Sequence, residues 1–215
     1  AQAFAIAGAQ VLGVPVDQEG MRCDLLARLA NCRLAYVTPS HQYPSGVTLS
    51  LARRLALLDW AEQTQGWIVE DDYDGEYRYS GAPLSPLAAL DRQGRVIYVG
   101  TFGKVAFPAL RLGYLVLPNA LIEPFAQRRS LDMRHSEVST QAVMAEFMAS
   151  GHFQRHIRRM RRAAISRRNA LMAHWPQGVE GLGDLPAIAA GLHVTVAVSS
   201  LEREQALLAQ ANEVG

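Results

Sequence analysis

Of the 21 basic residues in the 215-residue chain, one is a lysine, Lys104, and the rest are arginine. Lys104 lies in VGTFGKVAFPALRLGY (99–114), among glycines and apolar residues. A solvated cation here could be arginine, as at every other basic position. What an amine offers and a guanidinium does not is condensation with an aldehyde. A dry loop would sharpen that chemistry, because burial disfavours the charged ammonium and frees the nucleophilic lone pair. Arg111, seven residues on, can grip a phosphate through two parallel N–H groups, and Thr101 can add a hydroxyl donor. Gly103-Lys104 also matches two letters of a nucleotide-binding P-loop. That motif needs a glycine where Tyr98 stands and Ser or Thr where Val105 stands, so a nucleoside triphosphatase is set aside.

A second reactive stretch is WIVEDDYDGEYRY (67–79), where an apolar run ends in Glu70, Asp71 and Asp72, with Asp74 and Glu76 close behind. Ligands of parallel α/β sheets collect at the carboxyl ends of the strands. An acid on the last residues of a buried strand is costly unless it is paired. Asp71, nearest the strand, is therefore the candidate partner for a ligand cation, while Asp72, Asp74 and Glu76 read as a solvated acidic turn. A calcium loop is rejected: counted from Glu70, its twelfth position is Gly81, which has no carboxylate, and its flank is a strand. Tyr73 follows Asp71 closely enough to serve the same ligand. Together the two stretches offer an imine-forming lysine, a phosphate clamp, a carboxylate for a pyridinium nitrogen and a phenol for a ring oxygen. That set describes pyridoxal 5'-phosphate. No metal site is expected. Among His41, His135, His152, His156, His174 and His193, the one helical pair, His152/His156, sits among arginines without the internal Glu of a zinc-protease helix.

The elements that must position these residues follow from periodicity. Short β-rich runs at 11–16, 33–39, 66–71, 95–100, 111–118 and 191–200 read as strands. Helical patterns cover 23–30, then 50–64 with Ser50 as N-cap and Gly66 just past the end, then 119–173 broken near Gly151, and finally 201–214. Strand–helix alternation predicts an α/β fold with a mostly parallel sheet and flanking helices. Residues 1–150 are expected to form a large domain, and 151–215 a connecting helix and the start of a small α+β domain, both incomplete. The apolar opening AQAFAIAGAQVLG lacks an initiator Met and a basic n-region. It reads as a chain entered midway through a domain, not as a signal peptide.

Composition limits the classes further. A hydrophobic content of 49% with 19% charged residues fits a soluble globular protein with a sizeable core. No apolar run reaches the roughly 18 residues of a membrane helix, so no membrane partner is expected. Cys23 and Cys32, without a CxxC pattern, read as free thiols of a cytoplasmic protein. The net charge of +1 is unevenly spread. Residues 147–179 hold no acid and seven arginines, Arg155, Arg158, Arg159, Arg161, Arg162, Arg167 and Arg168, which leaves the remainder net acidic. This stripe is expected to pack against the acidic large domain or a dimer partner, with the rest solvated. Direct nucleic-acid binding is its alternative use.

The stretches TPSHQYPSGVTLSLARRLALLDWAEQTQGWIVEDDYDGEYRY and VIYVGTFGKVAFPALRLGYLVLP resemble the fold-type I aminotransferases, and more closely the aminotransferase-like domain of the MocR/GabR bacterial regulators. GHFQRHIRRMRRAAISRRNAL is similar to the helix that enters the small domain of that group. The resemblance runs through nearly the whole chain. It implies a fold-type I, PLP-dependent transferase-like architecture, and a pyridoxal-phosphate-binding effector domain that recognises an amino acid or amine. By the same resemblance Lys104 forms the lysine aldimine, Asp71 pairs with the pyridinium nitrogen, Tyr73 meets the ring oxygen, and Thr101 and Arg111 bind the phosphate. It implies a homodimer for the intact protein, and DNA contact only through a winged-helix region absent from these residues. Two other readings stay open: a competent aminotransferase acting on an amino acid or amine, and a degenerate fragment that folds without retaining cofactor.

Three residues depart from the family pattern. Gly103 stands where serine is usual, which removes one phosphate hydroxyl worth about 1 kcal/mol. Tyr43 precedes Pro44-Ser45-Gly46, where many aminotransferases have asparagine. Ala164 stands where the subgroup commonly has tyrosine. The family's second, glycine-rich phosphate cradle, its ring-stacking aromatic and its substrate-carboxylate arginine are expected outside this chain.

Overall fold

The computed structural model describes residues 2–81, 84–134 and 137–214. In chain order the elements are α1 (Gln2–Ile6), β1 (Val16–Asp17), β2 (Gly20–Met21), α2 (Cys23–Leu26), β3 (Leu34–Val37), α3 (Leu51–Thr64), β4 (Trp67–Asp72), α4 (Leu87–Leu90), β5 (Val96–Thr101), a 3-10 turn at Pro108–Leu110, β6 (Gly113–Val116), α5 (Asn119–Met133), α6 (Val138–Ala149), α7 (His152–His174) and α8 (Leu201–Val214). The main sheet has the order β3-β4-β5-β6. The first three strands run parallel and β6 pairs antiparallel to β5. The register sets Val37 opposite Glu70, Asp72 opposite Gly100, and Thr101 opposite Gly113, so the ends of β4 and β5 and the start of β6 share one sheet edge.

The core explains why this edge is well placed. In α3 the Ser50 hydroxyl caps the first turn by accepting from Arg53 N at 3.3 Å. The helix stops at Gln65, which adopts a left-handed φ of 56° and turns the chain directly into β4. Leu57, Trp60 and Ala61 of α3 pack with Ala35, Val37, Ile68, Leu87 and Val96 in one buried cluster. Truncating a leucine such as Leu57 in such a cluster costs about 2–5 kcal/mol. Arg54, also buried, survives in this cluster because its guanidinium donates to three carbonyls, Leu49 O at 3.0 Å, Ser85 O at 2.9 Å and Pro39 O at 2.9 Å.

Several expectations change. The run at 11–16 is not a sheet strand. Only Val16 pairs, in the two-residue ladder of β1 with β2, and Val11 and Leu12 are exposed. Pro15, lacking an N–H, sits just before the pairing begins. The run at 191–200 forms no ladder. Its strand-like contact is an isolated bridge from Val198 to Leu182, and at its start Gly191 N donates to Tyr77 O while Ala189 O accepts from Tyr79 N. The helical stretch 119–173 breaks near Gly151 as expected, and also between α5 and α6. The short helix predicted at 23–30 ends at Leu26. No helix among the described residues is long and apolar enough to cross a membrane.

Candidate functional site

At the carboxyl edge of the sheet, alternate residues of β4 point to opposite faces. Ile68 and Glu70 turn inward. The Glu70 carboxylate, fully buried, accepts from Leu87 N at 2.8 Å and Ala88 N at 2.9 Å, and so closes the start of α4. Burial pushes its pKa up against the lowering effect of those two bonds. Asp71 turns the other way, half-buried, and accepts from the Tyr36 hydroxyl on β3. Desolvation and that carboxylate raise the pKa of Tyr36, so its phenol stays a donor. Asp72 accepts from Tyr98 OH at 2.7 Å. Burial first, and then Asp74 and Asp71, raise its pKa.

The solvated acidic turn is corrected. Asp74 is buried at 1% exposure, held 2.9 Å from His41 Nδ1 and accepting from Leu192 N at 3.1 Å. Glu76 is half-buried, and desolvation raises its pKa. Tyr73 donates its hydroxyl hydrogen to His41 O at 2.9 Å. Desolvation, followed by the charges of Asp74 and Asp71, raises its pKa, so the phenol is neutral. His41, Asp74 and His193 bring possible metal-ligand atoms within 4.8 Å of one another. Within this group His41 Nδ1 contacts Asp74, and His193 Nε2 lies 3.1 Å from Pro44 O. His135 lies outside the described residues.

The lysine loop departs from expectation in one respect. Lys104 is exposed, not in a dry loop. Its neighbour Val105 takes the buried place, 1% exposed, in a cluster with Tyr77 and Ile157. The main chain is fixed on both sides of that contact. Tyr77 OH donates to Lys104 O at 2.9 Å, and His156 Nε2 lies 2.8 Å from Val105 O. Thr101 Oγ1 accepts from Gly103 N at 3.1 Å, tightening the turn that precedes the lysine. Arg111 is exposed, with a left-handed φ of 47° at the end of the 3-10 turn. Among the described residues, neither the Lys104 amine nor the Arg111 guanidinium makes a hydrogen bond or ion pair. A Cβ on Gly100 would overlap the Tyr114 ring, which would have to move to admit it.

The structure thus brings Asp71, Tyr73 and Thr101 to one sheet edge by register, with Lys104 and Arg111 on the loop that leaves it. Tyr36, Tyr77, His41 and His156 were not singled out by sequence as partners of these residues. For Tyr77 and His156 no signal was available, since their acceptors are main-chain carbonyls. The basic helix α7 packs through carbonyl acceptors, and among the described residues it makes no ion pair with the acids. Arg161 donates to Glu76 O, and Arg168 donates to Ile188 O at 3.2 Å with its guanidinium 5.1 Å from the Tyr79 ring centre. Ala164 lines a cavity of about 260 Å³ between α7 and residues 188–194.

A mostly parallel sheet has the lone lysine on the loop beyond β5 and carboxylates at the end of the adjacent β4, an arrangement in keeping with an aminotransferase-type scaffold. The chain belongs to the Aminotransferase class I and II family, whose model matches residues 1–196. Among curated relatives, it is 41% identical over 167 residues to the probable rhizopine catabolism regulatory protein MocR of Rhizobium meliloti, covering 78% of this chain and 34% of that protein. It is 37% identical over 196 residues to the HTH-type pyridoxine biosynthesis transcriptional regulator PdxR of Corynebacterium glutamicum, covering 89% of this chain and 41% of that one. The chain therefore spans well under half the length of these relatives. Among solved structures, kynurenine aminotransferase of Pyrococcus horikoshii superposes with a TM-score of 0.84 at 31% identity, over 99% of this chain and 55% of that one.

Proposed function

We propose that this chain is the pyridoxal-5'-phosphate-binding effector part of a MocR/GabR-type transcription regulator that responds to an amino acid or amine. The observation that carries the reading is Lys104, the chain's one lysine, whose side chain is exposed at the sheet edge while its main chain is held by Tyr77 and supported by the packing of Val105. The donor set beside it fits the cofactor in kind. Lys104 would hold the aldehyde carbon, Thr101 and Arg111 the phosphate, Asp71 the ring nitrogen and Tyr73 the ring oxygen. When bound, the cofactor supplies an electron sink for an amino acid losing its α-proton. The chain supplies the rest. The Asp71 carboxylate keeps a proton on the ring nitrogen. The exposed Arg111 guanidinium can take two phosphate oxygens at once. Neutral Tyr73 can donate to an ionised ring oxygen. Lys104 Nζ can take and return the α-proton.

The regulator names of relatives at 37% and 41% identity support sensing over turnover. In this reading a winged-helix region outside these residues contacts DNA, and the intact protein works as a homodimer. A catalytic aminotransferase is the second reading, favoured by the superposition on the Pyrococcus horikoshii enzyme across 99% of this chain. The test is to add pyridoxal 5'-phosphate, reduce with borohydride and map the added mass. One phosphopyridoxyl group on the Lys104 peptide, formed by imine condensation with loss of water and reduction of the C=N bond, is expected, and none in Lys104→Ala. No adduct in the wild type overturns the cofactor assignment. Conversion of an amino donor to its oxo acid over many turnovers transfers the assignment to the second reading. An amine-dependent change in DNA binding by the intact protein, without turnover, supports the first.

A further inference from the structure

We infer that Asp74 and His41 form a buried carboxylate–imidazole pair that positions the Tyr73 phenol. This rests on the reading of Tyr73 as the partner of the cofactor's ring oxygen. His41 is 5% exposed and Asp74 1%. Their contact, Nδ1 to Oδ2, is 2.9 Å. A contact this short between Nδ1 and Oδ2 needs one proton between the two atoms, and it fixes the direction of the ring. The same Asp74 oxygen accepts from Leu192 N at 3.1 Å, which anchors the carboxylate from the far end of the chain. The ring has little freedom to turn. A Cβ on Gly46 would stand 3.2 Å from His41 Nε2, and one on Gly191 would overlap the ring. Two glycines therefore form the walls of a slot for this imidazole.

Tyr73 closes the chain of contacts. Its hydroxyl donates to His41 O at 2.9 Å and lies 3.3 Å from His41 Nδ1. With the imidazole locked, the carbonyl of the same residue is a fixed acceptor, and the phenol is parked beside it. Burial and the neighbouring Asp74 charge keep that phenol protonated. The result is a neutral O–H at a defined point beyond the end of β4, free to pass its hydrogen bond from a main-chain carbonyl to an incoming ring oxygen. Asp74 and His41 are positioning residues. They act on the cofactor only through Tyr73.

The pair is tested on the protein reconstituted with pyridoxal 5'-phosphate, by the pH midpoint of the long-wavelength absorbance of the bound cofactor. A Tyr73 hydrogen bond stabilises the ionised ring oxygen, so Tyr73→Phe should raise the midpoint. Asp74→Asn, which keeps the side chain's shape, and His41→Ala should shift it the same way by less. The double variant Asp74→Asn/Tyr73→Phe should match Tyr73→Phe alone, since both changes act through one phenol. His41→Asn, which keeps an N–H near the Nδ1 position, should stay near wild type. The inference is overturned if Asp74→Asn and His41→Ala leave the midpoint unmoved while Tyr73→Phe raises it, or if the double variant is additive. A wild type with no such band speaks against the cofactor reading. The Tyr73 ring resonances of the cofactor-free protein then decide the pair: a shift in both Asp74→Asn and His41→Ala supports it, and no shift in either overturns it.

Discussion

The acidic strand end and the lysine loop meet at one sheet edge, yet the first is held through its side chains and the second through its main chain. Glu70, Asp71, Asp72 and Asp74 each have a side-chain bond to a named partner. Lys104 and Val105 are gripped by their carbonyls, from Tyr77 and His156, and the amine itself is exposed. The difference follows from chemistry. A buried carboxylate without partners is costly, so acids at a strand end must be bonded internally. The Lys104 amine, the group that is to form a covalent bond with a ligand, is left unspent among the described residues. Fixing the backbone on either side achieves this without engaging the amine.

Side-chain removal is the sharpest test of that contrast. Glu70→Ala leaves the Leu87 and Ala88 N–H groups at the start of α4, the first of them buried, without their acceptor and should cost about 2–3 kcal/mol in urea unfolding. Lys104→Ala, on an exposed side chain, should change the same free energy by less than about 0.5 kcal/mol while abolishing any adduct at that position. Equal losses of stability from the two substitutions would break the comparison.

A smaller effect is expected where the two arms touch. Tyr77→Phe keeps the aromatic packing with Val105 and Ile157 but deletes the donor to Lys104 O. The cost should be about 1 kcal/mol of stability. Faster amide hydrogen exchange should appear across the 101–106 loop and not along β4. Protection that falls equally in both segments would mean that the loop is not anchored separately.

The acid cluster predicts a pH dependence smaller again. Burial raises the folded-state pKa of Asp72 above its ordinary value of 3.8, with Asp74 and Asp71 adding to the shift. A raised folded pKa means that the native state binds this proton more tightly than the unfolded chain. The associated stability is present at low pH and is lost as pH climbs through the raised value. Asp72→Asn retains an acceptor for Tyr98 OH and removes that loss. Its unfolding free energy should fall less than wild type's between about pH 4 and pH 7, the difference staying under about 1 kcal/mol. A steeper fall in the variant would reverse the assigned sign.

What could be read from the residues and what could not divides along the same physical line. The four strands of the main sheet were legible because β-branched runs between turn residues have few other uses. The equally apolar run at 191–200 was not, because a strand needs an unpaired neighbour and composition does not say whether one exists. Lys104, Asp71 and Tyr73 could be singled out by type and spacing. The burial of Asp74 could not, since it depends on His41 and Leu192, which are 33 and 118 residues away in sequence. Main-chain acceptors such as Lys104 O and Val105 O have no residue identity to read, so Tyr77 and His156 were silent. The expectation of a dry lysine failed for a local reason: Val105, not Lys104, was the residue drawn into the apolar cluster.

Gly103 offers the finest adjustment of the open arm. A side chain there meets little resistance, since the nearest atom to an added Cβ is Thr101 Oγ1 at 3.4 Å, an ordinary contact. Its φ lies outside the left-handed region, so an L-residue is not strained. Gly103→Ser would place a hydroxyl next to Thr101 and Lys104, in a turn already closed by the Gly103 N to Thr101 Oγ1 bond. If this turn cradles a phosphate, the added donor should tighten pyridoxal 5'-phosphate binding by up to about fivefold, which corresponds to about 1 kcal/mol. The gain should vanish for pyridoxal lacking the phosphate, measured by the same absorbance titration. Equal tightening of both ligands would place the new hydroxyl on the ring side and leave the phosphate role to Thr101 and Arg111 alone.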